Sequence, residues 1–207
     1  MTTWDGNEST DARADGGGTL LGSGLIAGVV LLATIDFGAG ITAESGAVEA
    51  ATVAILAFGA MLAFLRGAGW TGAALALLAM RELDWDKAFL AEGILKTRLY
   101  VGDAPAVDKA IGAAVVGFAL LALWRLASGG GRGLLAGLRQ GDAWAWCVAA
   151  AGPTVVLAKT LDGIGRKMLD LGVVLGARLE AQAVHLEEWL ELGFAGLLCA
   201  AVLAYRA

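Results

Sequence analysis

Histidine occurs once in this chain of 207 residues, and cysteine and proline twice each. The shortage bears first on metals. A di-iron carboxylate site in a helical bundle draws a Glu-x-x-His motif from each of two helices, and one histidine cannot supply both. Zinc is disfavoured for the same want of His and Cys. Cys147 and Cys199 lie inside apolar runs, where a thiol behaves as a small hydrophobe. Basic runs are also missing: the net charge is −5 and the arginines stand singly, which argues against nucleic acid and against a polybasic lipid clamp. There is no nucleophile elbow. "GGGRGLLAG" at 129–137 has the spacing of a nucleotide loop, yet no strand precedes it, and it is expected as a loop between two membrane helices. No internal repeat supports an inverted-repeat transporter.

What the chain has in excess is apolar sequence, with 58% hydrophobic residues, 17% charged residues and a mean hydropathy of +0.71. Water-soluble domains sit nearer ~45–50% apolar, so this one belongs in lipid. Residues 1–18 set Asp5, Glu8, Asp11 and Asp15 against Arg13 alone and end in three glycines, the composition of a disordered acidic tail. They lack the basic start of a signal peptide, so the first apolar run is expected to be a retained helix. Residues 19–207 are expected to form a single transmembrane helical domain.

Six apolar runs follow the tail, at 19–35, 48–65, 68–80 with a helical extension toward 89, 107–126, 144–161 and 186–205. Backbone amides in hydrocarbon must bond within their own segment. The fold class is therefore all-α, a polytopic bundle of about six helices. Five is the alternative count, because the third run is continuously apolar only over 73–80. Trp70, Trp85, Tyr100, Trp124, Trp144, Trp146, Trp189 and Tyr205 cluster near the predicted ends, as interfacial aromatics do. Gly24 and Gly28 form a GxxxG pair, and 31 glycines in all suit close helix contact. Small-residue faces of this kind also serve homo-oligomers. Membrane lipid is the other expected partner.

With six helices, both termini share a side with Arg13, Arg66, Arg125, Arg132, Arg139 and Arg206, while nine cations face the other. Those nine are mixed with acids in two long segments. The short loops are cleaner: 36–47 has no Lys or Arg, and 125–139 carries charge of positive sign alone. Short loops govern orientation more strongly, so both termini are expected in the cytoplasm.

Most ionisable groups gather on the opposite side. In "RELDWDKAF", Arg81 with Asp84 and Asp84 with Lys87 are attractive helical neighbours, whereas Glu82 and Asp86 repel. In "KTLDGIGRKMLD", Lys159, Asp162, Arg166 and Asp170 are expected to alternate as a ladder. In "EAQAVHLEEWLEL", Glu180, Glu187 and Glu191 share one face, with His185 and Glu188 beside it. No cation of their own segment reaches these carboxylates. They need one from elsewhere, a metal, or a proton. A charge near the bilayer centre costs on the order of ~3 kcal/mol, so groups at depth face inward and pair. Lys159 and Glu191, flanked by apolar residues, are placed deepest. If three helix ends converge, Arg81, Lys159 and Arg166 neutralise Glu82, Glu187, Glu188 and Glu191. The competing reading is of solvated helix ends, with His185 an ordinary interfacial residue. Glu187, Glu188 and Glu191, with Asp84 or Asp86, are weak candidates to ligate a divalent cation, since neighbouring cations compete. No other cofactor is expected.

Together "RELDWDKAFLAEGILKTRLY", "DKAIG", "KTLDGIGRKM" and "LEEWLELG" resemble a set of small bacterial integral membrane proteins of unassigned function. The resemblance covers about 81–194. It implies a bacterial inner-membrane location and a common role for the charged positions, and it brings no activity. By default, ionisable groups inside membrane helices mark a path for protons or small ions. The alternatives are a structural, assembly or sensor subunit of a membrane complex, and a lipid-modifying enzyme with a glutamate as general base.

Overall fold

The computed structural model describes residues 46–83, 85, 90 and 93–205. Seven helices and no strand occur among them: α1 Ala47–Leu65, α2 Gly69–Glu82, α3 Thr97–Val101, α4 Ala106–Gln140, α5 Ala143–Leu161, α6 Ile164–Asp170 and α7 Ala177–Ala204. Three of the described helices, α1, α4 and α5, are long and apolar enough to cross a membrane. At 14 residues α2 reaches only ~21 Å, short of the ~30 Å hydrocarbon core. Helix α7 has the length, 28 residues, but Glu187, Glu188 and Glu191 crowd the start of its apolar half. The runs at 48–65, 68–80 and 144–161 coincide with α1, α2 and α5 to within two residues, and 186–205 covers the last two thirds of α7 and its C-cap. The acidic tail, the run at 19–35, the Gly24/Gly28 pair and most of the extension toward 89 lie outside the described residues.

The expected loop at 129–137 is helix instead. Helix α4 runs unbroken for 35 residues, through Gly129, Gly130, Gly131 and Gly133, although glycine inside a helix costs up to ~1 kcal/mol relative to alanine. No proline interrupts it, Leu134 and Leu138 restore an apolar side, and Gly137 is buried against Trp144 and Ala145 of α5. The stop comes at Gly141, with φ of 82°. There the Gly141 N–H bonds the Leu138 carbonyl and the Asp142 N–H bonds that of Gly137, which closes the helix as a Schellman motif. Gly67, with φ of 75°, ends α1 in the same manner. Gly141→Ala is expected to cost ~1–2 kcal/mol, because a Cβ is strained in the left-handed region; thermal unfolding in mild detergent measures it.

Small residues let the helices approach closely. Leu56, Ala60 and Ala63 of α1, Leu75 and Ala79 of α2, and Ala195 and Val202 of α7 form one buried cluster. Ala145, Ala151 and Ala158 are buried along α5, and α5 packs most extensively on α7. Where lipid gives helices no hydrophobic drive to associate, such close packing supplies the attraction. Pro153 falls inside α5; membrane helices tolerate this when neighbours and hydroxyls satisfy the freed backbone.

The two ends of the bundle differ in chemistry. At one, the Arg66 guanidinium donates to the carbonyls of Val202 and Leu203 in the last turn of α7 and to that of its C-cap Tyr205, where a helix leaves acceptors without intrahelical partners. Trp144 meets Tyr205 edge-on at 5.2 Å between ring centroids. Arg125 lies 5.5 Å from the Trp70 ring and 5.4 Å from that of Trp124. Carboxylates collect at the opposite end.

Candidate functional site

At that opposite end the last turn of α5 packs on the first half of α7, and the end of α2 comes within electrostatic range of both. Ala158 and Leu192 are fully buried, so the adjoining residue on each helix, Lys159 after Ala158 and Glu191 before Leu192, emerges beside the α5–α7 seam. The Lys159 ammonium donates to Glu191 Oε1 at 2.6 Å, at the short edge of the ~2.7–2.9 Å usual for a charge-assisted N–H···O bond. Asp162 Oδ2 lies 3.7 Å from the same nitrogen. On α2, Glu82 is 3.8 Å from Arg81 and within electrostatic range of Glu191, Lys159 and Glu49. Glu187 in turn feels Asp162, Glu191, Lys159 and Glu188.

The structure thus brings Arg81, Glu82, Lys159, Asp162, Glu187 and Glu191 into one neighbourhood drawn from three helices. It is graded in depth. The Glu82 and Glu191 side chains are 17% and 20% exposed and Lys159 is 37% exposed, whereas Arg81 and Asp162 reach 48% and 53%. Glu82, Glu191 and Lys159 form the inner part, and Asp162 and Arg81 the rim. His185 and Glu188 are half-buried on α7. Asp84 and Asp86 lie outside the described residues.

Arg166 does not take its expected place. The ladder Asp162–Arg166–Asp170 presumes one continuous helix, but Asp162 caps α5 and Gly163, at φ of 60°, turns the chain before α6 begins. The first rung, Lys159 with Asp162, forms as expected, but Arg166 is turned away from Asp162 and stays exposed close to Gly163. Lys167 takes up a role that the spacing of charges does not reveal. Its ammonium accompanies Lys159 from the backbone side, donating to the carbonyls of Lys159 at 2.9 Å and Thr160 at 3.4 Å, which neutralises the negative end of α5. The Glu180 carboxylate occupies the space that a side chain at Gly165 would need.

Among the described residues no group of three His, Cys, Asp or Glu side chains converges to hold a metal ion. What the arrangement offers is a short donor–acceptor contact between helices, continued by further carboxylates toward α2 and toward the rim. No family model matches this chain, no curated protein matches it, and no solved structure matches it.

Proposed function

We propose that the chain is a multi-pass protein of a bacterial inner membrane, a single bundle of about six transmembrane helices whose charged cluster passes protons or small ions. The observation that carries this reading is the Lys159–Glu191 contact of 2.6 Å between α5 and α7. An ammonium and a carboxylate at that separation share a line along which a proton or a displaced cation moves. Glu82 is the next acceptor on α2, and Glu187 and Asp162 lead to the rim. Ionisable groups that membrane helices hold against each other recur at ion pathways and proton relays, which supports this reading. By the positive-inside bias, the end with Arg66, Arg125, Arg132 and Arg139 faces the cytoplasm, with both termini, and the carboxylate end faces outward.

Flux decides it. Purified protein in liposomes loaded with a pH-sensitive dye is expected to dissipate an imposed proton or cation gradient, and Glu191→Gln or Glu82→Gln to slow this at least about tenfold, the cost of ~1.4 kcal/mol on the barrier. Flux equal in both variants and the parent, or no greater than in empty liposomes, refutes the reading.

A further inference from the structure

The arginines of 125–139 stand singly in the sequence, but the unbroken helix aligns them. Arg125, Arg132 and Arg139 are spaced by seven, so each is turned only ~20° from the last and displaced by ~10.5 Å along α4. All three are exposed, and so are Ser128, Gly129 and Ala136 on the same face. Leu134 and Leu138, on the opposite face, are half-buried. No acid occurs from Leu126 to Gly141. This half of α4 is therefore an amphipathic helix with a basic, small-residue face.

Its position follows from its two anchors. Arg125 rests on Trp70 at the start of α2. Twelve residues later, Gly137 packs on Trp144, whose ring meets Tyr205, the residue whose carbonyl Arg66 holds. Both anchors belong to the arginine end of the bundle, so the ~18 Å of helix between them runs at that end. The residues from Ala106 to Arg125 already cover the ~30 Å of hydrocarbon, which leaves the remainder for the headgroup layer.

We infer that the Arg125–Arg132–Arg139 face of α4 is a binding surface for anionic phospholipid headgroups of the surrounding membrane. Each guanidinium presents paired N–H donors suited to phosphate, and the small residues between them leave headgroups room to approach. A lipid-facing role needs no continuous basic run, because α4 gathers the charges. The inference depends on membrane location and not on ion passage, so a chain that conducts nothing would leave it standing.

The test is competitive. The full chain in detergent is equilibrated with equal amounts of phosphatidylglycerol and phosphatidylcholine of matched chains, and retained lipid is counted by native mass spectrometry. The expected result is preferential retention of phosphatidylglycerol, cut about fivefold by R132Q or R139Q alone and about 25-fold by the two together. R132K/R139K keeps most of it, and R178Q, in the first turn of α7, leaves it unchanged. Circular dichroism separates lost binding from lost helix, and the single variants decide if the double variant unfolds. Equal retention of the two lipids, preference intact in R132Q/R139Q, displacement by millimolar inorganic phosphate, or cross-linking of residues 1–18 to this face without lipid preference would each overturn it.

Discussion

Lys159→Met is expected to destabilise the bundle by ~2–3 kcal/mol, and addition of Glu191→Gln to recover most of that loss. The single change leaves a carboxylate that is only 20% exposed without the ammonium 2.6 Å away. In hydrocarbon-lined surroundings a lone charge is costly, whereas a neutral amide beside a thioether is not. The Lys159–Asp162 contact, on a half-exposed carboxylate, contributes little by comparison. A double-mutant cycle from thermal unfolding in mild detergent isolates the pair. Additive effects of the two substitutions would mean that each charge is solvated separately, and the functional reading would lose its inner pair.

The second large effect is steric. A Cβ at Gly137 would stand 2.9 Å from both the Ala145 Cβ and the Trp144 ring, and Ala145 is fully buried. Gly137→Leu therefore wedges α4 from α5 and is expected to cost ~1–3 kcal/mol. Gly130→Ala, only seven residues earlier, meets nothing within 4 Å, and removing helical glycine there is expected to raise stability by up to ~1 kcal/mol. Opposite signs from two glycines of one helix are a stringent comparison, read in the same unfolding experiment. If both changes stabilise, the α4–α5 seam is looser than the geometry requires.

How far the sequence leads depends on which physical term decides each element. Helices α1 and α5 were legible because long apolar runs in lipid leave the backbone no other way to satisfy itself, and hydropathy marks where they stop. The partnership of Lys159 with a glutamate of α7 was legible in outline, since Lys159 and Glu191 are each flanked by apolar residues and neither can stay unpaired cheaply. Gly129–Gly131 misled because glycine is a breaker only where something competes with the helix. Here neither a turn nor a proline did, and Gly141 supplied the stop. The Asp162–Arg166 ladder failed through a single backbone angle at Gly163, which residue spacing does not encode. Arg66 capping the end of α7 and Arg125 lying on Trp70 join residues 136 and 55 positions apart. Only the tertiary arrangement pairs them, and in sequence both arginines count merely as positive charges on one side.

Arg66 gives α7 a fulcrum. The helix is held at its tail by three carbonyls, while its acidic half reaches the far end of the bundle, so it acts as a lever with Glu191 ~21 Å out along the arm. A swing of ~5° about that point carries Glu191 through ~2 Å, enough to take its carboxylate out of bonding reach of Lys159. Leu192 and Ala195 on the same arm are fully buried, so only a swing that also shifts their packing breaks the contact.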